Sequence, residues 1–168
     1  MTIKINRAPV LTLWAALVAQ RLGFDWKESL TLGRAVAGLN AYSKGVSLGL
    51  FTPAPKSLKA EKRVKLHVDL MHRAIPVKRT PDGWRAVSKG RTTDPTSVSR
   101  YLQSKFGDAL ADAIAAMKML ARSMPPKTLA RDAYPLYVKF RPSVPAGVRG
   151  WGATGILDLR KIRALARA

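Results

Sequence analysis

The N-terminal part of the chain begins with a stretch that is apolar on nearly every side of a helix. From Val10 to Leu22 the apolar residues are not confined to one stripe, which predicts a helix that is buried all round. Asn6 is a candidate N-cap, and Pro9 lies in the first turn, where its missing N–H removes no hydrogen bond. Gly23 is expected to end the helix. The stretch is too short to span a bilayer. Because it continues without a break into Gln20, Arg21 and a second capped helix, we interpret it as a core helix rather than a signal peptide.

A second helix is predicted directly after the first. Asp25 and Glu28 have the spacing of a capping box, in which two side chains accept hydrogen bonds from free backbone N–H groups. Apolar residues continue at helical spacing to a stop near Gly45, and small residues recur every fourth position from Gly33, which predicts close approach of another helix. Two helices joined by a short turn with a glycine have the outline of a helix-turn-helix.

After a connector at 46–58 the pattern changes to that of strands. From Val64 to Leu70 apolar and polar residues alternate, which is typical of a half-buried strand. Residues 74–88 are predicted to form a β-hairpin, because a Pro-Asp-Gly turn signal beginning at Pro81 separates two short apolar runs.

The rest of the chain is predicted to be helical, with one irregular segment. A third helix is expected from Thr93 to Gly107, with Asp94 as its cap. Asp108 is expected to cap a fourth helix that ends at Pro125, and a fifth is expected from about Lys127 to Phe140. Residues 142–155 hold four glycines and two prolines, which predicts a loop. Asp158 is expected to cap a short C-terminal helix.

These elements predict a mainly α fold with a small β-hairpin or three-stranded element. The class is α+β, with a helix-turn-helix or winged-helix-like arrangement. The chain divides into an N-terminal helix pair (1–55), a basic strand and hairpin element (56–92) and a C-terminal helical part (93–168). A length of 168 residues predicts that these parts form one compact domain.

Composition adds a strong charge to this picture. The chain has 30 Lys and Arg against 10 Asp and Glu, a net charge of +20, and 47% apolar residues. That apolar fraction is enough for a core and excludes a disordered basic tail. The absence of cysteine excludes disulfide scaffolds, Cys-type zinc sites and a cysteine nucleophile. Because so large a charge is self-repulsive, it indicates a polyanionic partner.

The charge is spread through the segments that are predicted to fold. Residues 56–107 carry thirteen basic and four acidic side chains, against six and two in 1–55 and eleven and four in 108–168. This distribution favours a binding face over a detachable basic arm.

The second helix offers a first set of candidate DNA-binding residues. Its basic side chains are Lys27, Arg34 and Lys44. Ser29 and Thr31 stand near its N-terminus, where a recognition helix presents polar groups to base edges. The helix has few charges, and any antiparallel helix pair gives a similar outline, so a DNA-reading helix and a plain helix pair both stay open.

The hairpin and the third helix offer a second and larger set. In winged-helix proteins a basic hairpin contacts phosphates or the minor groove. The alternative is a solvated edge hairpin that charges protect against aggregation. The candidate residues are Lys78, Arg79, Arg85, Lys89, Arg91, Arg100 and Lys105.

A third candidate is the glycine-rich loop, which contains Arg149 and Trp151. An arginine beside a tryptophan can pair with a phosphate while the ring stacks on a base. The alternative is that Trp151 packs into the core.

A metal or catalytic site is not indicated. On a strand His67 and Asp69 share one face while His72 lies on the other, and two ligands are fewer than a metal site needs. We therefore expect no metal and no cofactor, and we assign no catalytic residue.

The pattern as a whole predicts a double-stranded DNA-binding protein whose affinity comes mainly from phosphate contacts. The alternatives are an RNA-binding protein of the ribosome-associated or RNA-chaperone kind, a nucleic-acid-processing enzyme, and a protein that binds a partner through an apolar patch. The expected location is cytoplasmic and nucleoid-associated, without a membrane partner, and a homodimer is left open.

Overall fold

The computed structural model describes residues 2–47, 66–144 and 153–168, with side chains described to Ala41 and again from Leu66. The fold is mostly helical with a small antiparallel sheet, so the predicted α+β class is confirmed. The helices are α1 (Arg7–Arg21), α2 (Trp26–Ser47), α3 (Pro95–Phe106), α4 (Leu110–Arg122), α5 (Pro126–Phe140) and α6 (Leu159–Arg167). The strands are β1 (Thr2–Asn6), β2 (His67–Leu70), β3 (Arg73–Thr80), β4 (Gly83–Ser88), β5 (Arg91–Thr92) and β6 (Thr154–Asp158).

Helix α1 is the centre of the core, as its apolar sequence predicts. Every residue from Ala8 to Ala19 is buried. The indole Nε1 of Trp14 donates a hydrogen bond to the backbone oxygen of Ala133 at 2.9 Å, so the one polar atom of this ring is satisfied. Asn6 occupies the N-cap position, but its side chain makes no capping hydrogen bond. None of the helices in the described ranges is long and apolar enough to cross a bilayer.

Helix α2 packs closely on α1 through the small residues that the sequence singles out. A Cβ added at Gly33 would lie 2.8 Å from the backbone nitrogen of Ala16 and would also meet the backbone oxygen of Thr12. The predicted capping box is confirmed as well. The backbone nitrogen of Glu28 donates to Asp25 Oδ1 at 2.8 Å, and that of Asp25 donates to Glu28 Oε1 at 3.0 Å.

The hairpin predicted at 74–88 is confirmed as strands β3 and β4. It belongs to a four-stranded antiparallel sheet in the order β2-β3-β4-β5, one strand more than the sequence predicted, because β5 has only two residues and no readable pattern. Val77 lies opposite Ala86, and Lys78 lies opposite Arg85.

The N-terminal half of α2 covers the edge of β4 that β5 leaves unpaired. The backbone N–H of Trp84 donates to Glu28 Oε2 at 2.8 Å, and that of Ala86 donates to Thr31 Oγ1 at 3.1 Å. Side chains of a helix thereby take the place of a neighbouring strand and satisfy backbone donors that would otherwise be exposed or orphaned.

A second, two-stranded sheet pairs β1 with β6 in antiparallel orientation, with Thr2 opposite Asp158. The sequence did not predict either strand, and the predicted loop 142–155 contains the start of β6. Ser143 and Ile156 exchange two backbone hydrogen bonds of 3.0 Å. A Cβ at Gly155 would lie 2.7 Å from the Ser143 oxygen, so this glycine permits close approach of the two backbones.

The caps of the C-terminal helices agree with the sequence in two cases and differ in one. Asp94 accepts from the backbone nitrogen of Thr96 at 2.9 Å, and Asp158 accepts from that of Arg160 at 3.0 Å. The prediction that Asp108 caps the fourth helix is wrong. A short 3₁₀ turn, Gly107–Ala109, precedes α4, and Ala109 is its N-cap residue without a side-chain bond.

Candidate nucleic-acid interface

The two hydroxyl side chains near the start of α2 do not face solvent. Ser29 and Thr31 are fully buried. The Thr31 hydroxyl donates to the backbone oxygen of Glu28 at 2.9 Å and accepts from the backbone N–H of Ala86. The Ser29 hydroxyl donates to the backbone oxygen of Phe24 at 3.5 Å. Of the groups that a recognition helix could use here, these two hydroxyls are therefore not available to base edges. Of the polar groups considered there, Lys27 is exposed.

The tip of the β3–β4 hairpin carries two exposed cations, Lys78 and Arg79. The guanidinium of Arg79 lies 5.2 Å from the centre of the Trp84 ring, a distance at which a cation is attracted to the ring face. Arg85 is different. Only 7% of it is exposed, and its Nη1 donates to the Trp84 oxygen at 2.8 Å. The prediction that Arg85 contacts nucleic acid is therefore wrong, because its guanidinium is buried and already donates hydrogen bonds to backbone oxygens.

Lys89 and Arg91 lie at the other end of β4 and are exposed. Lys89 and Gly90 both have positive φ, +52° and +78°, as in the two-residue turns that suit the twist of a hairpin. The six residues of β4 place this turn about 17 Å from the hairpin tip. The basic residues of the hairpin, which are close together in the sequence, therefore form two separate clusters in the fold. Lys78 and Arg79 form one, and Lys89 and Arg91 form the other.

A groove of about 490 Å³ lies between α2, the sheet and the start of α3. We call it the α2–sheet groove. Its cations are Arg34 and Lys89, its hydroxyls come from Ser88 and Thr93, and no acidic residue in the described part of the chain lines it. The described residues that line it are Arg34, Ala35, Gly38, Leu39, Pro76, Val87, Ser88, Lys89 and Thr93.

The position of Arg34 at the groove is supported from α3. Its guanidinium carbon lies 4.8 Å from the centre of the Tyr101 ring. Burial raises the pKa of Tyr101, an effect that the positive charge and hydrogen bond of Arg34 partly oppose. The ring thus remains a neutral phenol under ordinary conditions and offers its π-face to the cation.

The two predicted contacts on α3 are both exposed, but they do not share a face. Arg100 and Lys105 are five positions apart, which corresponds to about 140° around a helix of 3.6 residues per turn. A flat partner on α3 therefore reaches one of them more easily than both.

Three of the predicted contacts lie outside the described side chains. They are Lys44, Arg149 and Trp151. Their roles stay predictions.

The acidic residues of the described part do little to neutralise the candidate cations. Two ion pairs there join an arginine to an aspartate: Arg131 with Asp132 at 2.8 Å, and Arg160 with Asp158 at 3.2 Å. Each arginine donates hydrogen bonds that lower the pKa of its partner carboxyl. None of the predicted contacts takes part in either pair, so their positive charge is available to a partner.

The histidines do not assemble a metal centre. His67 Nε2 lies 3.7 Å from Asp69 Oδ1, with 55% and 80% of the two side chains exposed. His72 Nε2 lies 3.1 Å from the backbone oxygen of Arg131 on α5. Within the ranges that the structure covers, no three His, Asp or Glu side chains gather around one point.

Sequence reasoning missed the residues that complete the groove. Ser88 and Thr93, on either side of the β4–β5 turn, line the groove together with Arg34. Tyr101 of α3 does not line it but lies against the Arg34 guanidinium. No local pattern signals such a meeting.

Comparison with known proteins identifies no relative of this chain. No family model matches the chain, and no curated protein or solved structure shows a significant match to it.

Proposed function

We propose that the protein binds double-stranded DNA through the phosphate backbone, with the α2–sheet groove at the centre of the contact. The observation that carries this proposal is the groove itself. Arg34 and Lys89 converge on it from different elements, and no described acidic residue lines it. Two converging cations without a counter-charge in the wall repel each other unless an anion lies between them.

The chemistry of the lining fits a phosphodiester. Arginine and lysine form charge-assisted hydrogen bonds with phosphate oxygens, and serine and threonine hydroxyls are frequent phosphate donors. Ser88 and Thr93 supply two such hydroxyls beside Lys89. The apolar side of the groove, from Leu39, Pro76 and Val87, suits the sugar.

The basic hairpin tip extends the same contact. Lys78 and Arg79 are exposed there. They lie opposite Arg85 and Trp84, which places them about 14 Å and about 17 Å from Lys89 along β4. These separations correspond to about four to five base pairs of one strand at 3.4 Å per step. The two basic ends of β4 can therefore contact one duplex backbone at two points.

Weak sequence preference is part of the proposal. Ser29 and Thr31 are buried in α2 and already hydrogen-bonded, so these two hydroxyls are not available to read bases. Phosphate contacts fix position and add affinity but carry no sequence information. Binding of this kind would place the protein on the nucleoid.

RNA binding is the second candidate function, and the experiments described below distinguish it from DNA binding. Single-stranded RNA is commonly held by aromatic rings that stack on bases. Trp84 and Tyr101 each have an arginine against the ring face, so these faces are already occupied. This arrangement favours duplex DNA over a stacked single strand.

The test is the salt dependence of duplex DNA binding, measured by fluorescence anisotropy. Each lost phosphate contact lowers the slope of log K against log salt by about 0.9. We expect Arg34→Gln combined with Lys89→Gln to lower it by about two. The matched control is Lys161→Gln, which removes an exposed charge from α6, a helix that does not line the groove.

A slope that stays at the wild-type value in the double variant would overturn the groove as the centre of binding. Matched duplex DNA, duplex RNA and single strands complete the test, and preferential binding of an RNA would contradict the choice of DNA.

A further inference from the structure

A second basic cleft lies away from the groove, between α1 and α4. It has a volume of about 390 Å³, and we call it the α1–α4 cleft. The described residues that line it are Leu17, Gln20 and Arg21 from α1 and Lys118, Ala121 and Arg122 from α4. Both sets have helical spacing of three and four, so each helix turns one side to the cleft. Three of the six residues are cations, and no described acidic residue is among them.

The guanidinium of Arg21 supplies a second, independent observation. Its Nε is buried and has no hydrogen-bond partner among the described residues, while its Nη2 donates to the Met124 oxygen at 3.4 Å. A buried donor without an acceptor is costly, and such groups are rare in folded proteins. If the guanidinium turns toward the cleft, an oxyanion bound there would supply the missing acceptor.

Helix geometry explains part of this cluster but not all of it. Arg21 and Arg122 lie in the last turns of α1 and α4, where the negative end of each helix favours a cation. Lys118 stands a turn earlier on α4 and still lines the same cleft. The position of Arg21 at the end of α1 also does not explain why its Nε has no acceptor. Both remaining features point to a bound oxyanion.

We infer that the α1–α4 cleft binds a phosphate group. Arg21 and Arg122 present planar donor forks that suit the oxygens of a phosphate, and Lys118 adds a compact positive charge. The Gln20 amide supplies a further donor. The phosphate can belong to a free phosphorylated ligand or to a nucleic-acid backbone, and the experiment distinguishes these two sources. The inference rests on the cleft alone and is independent of the α2–sheet groove.

The test is thermal unfolding with pyrophosphate or inorganic phosphate against chloride at equal ionic strength. Phosphate stabilises proteins in general by exclusion from their surface, so the wild type is compared with Lys118→Gln combined with Arg122→Gln. Both side chains lie at least partly in solvent, so the variant is expected to fold. We expect the stabilisation by phosphate to be larger in the wild type and to grow with the logarithm of its concentration.

Equal stabilisation of the wild type and this double variant would overturn the inference. Duplex DNA binding by the wild type and the double variant then shows where the phosphate comes from. A salt slope lowered by about two in the variant identifies a backbone phosphate, and an unchanged slope identifies a free phosphorylated ligand. Because the variant leaves Arg34 and Lys89 intact, this result is separate from the test of the groove.

Discussion

Helix α2 has a buried face that packs against the rest of the fold and an open face that borders the α2–sheet groove. The face toward α1 and β4 holds Thr31 and Gly33, both buried and in contact with backbone atoms of their neighbours. The face toward the groove holds Arg34, which is exposed, and Gly38, whose surroundings are open. The first face stabilises the fold, and the second is available to a partner.

The difference shows that a polar residue on a helix is weak evidence of binding. Ser29 and Thr31 have the positions that a recognition helix would use, yet their hydroxyls bond to the backbone of Phe24, Glu28 and Ala86. Such side-chain to backbone bonds are common for serine and threonine. The charge of Arg34, which the fold does not neutralise within the described residues, is the better signal.

The largest expected effect comes from the buried face. Gly33→Ala places a Cβ against the backbone of Thr12 and Ala16, and backbone atoms cannot move aside as a flexible side chain would. We expect a loss of about 3 kcal/mol in the free energy of unfolding, measured by urea denaturation.

The matched control is Gly38→Ala on the same helix. Nothing lies within 4 Å of a Cβ there, so the better helix propensity of alanine should add about 0.5–1 kcal/mol. Equal effects at the two glycines would show that the faces do not differ in packing.

A smaller loss is expected from Thr31→Val. Valine has nearly the shape of threonine but leaves the buried N–H of Ala86 without an acceptor, which costs about 2 kcal/mol. Thr31→Ser keeps the hydroxyl and should recover part of this loss. Hydrogen exchange at the Ala86 amide reports on the bond directly. Protection that stays at the wild-type level in the valine variant would contradict it.

The smallest effect on stability is expected from Arg34→Gln on the open face. The lost contact with Tyr101 is worth about 0.5–1 kcal/mol at an exposed site. The duplex DNA salt slope should nevertheless fall by about 0.9. A variant that loses stability but keeps the slope would assign Arg34 to the fold and erase the distinction between the two faces.

Local signals in the sequence were sufficient for most helices and for the hairpin. The apolar run of α1, the Asp25 and Glu28 pair and the Pro-Asp-Gly turn each lie within one element, so their physics is local. The burial of Arg85 could not be read in this way. The strand register places it opposite the exposed Lys78, but its hydrogen bonds to the backbone oxygens of Trp84 and Asp82 depend on the shape of the turn.

Contacts between distant segments account for the rest of what was missed. The α2–sheet groove and the α1–α4 cleft each form between elements that are far apart in the chain. No periodicity records which helix will lie beside which. The cations of the α1–α4 cleft, Arg21, Lys118 and Arg122, were for this reason absent from the predicted contacts.

The pairing of β1 with β6 has a consequence for synthesis on the ribosome. Nearly the whole chain separates the two strands, so β1 is made first and must wait for its partner. At usual rates of translation this delay is roughly 10–30 s. During that time the backbone groups of β1 that later bond to β6 have no strand beside them. A nascent chain stalled before Thr154 would therefore leave these backbone groups of β1 bonded to water.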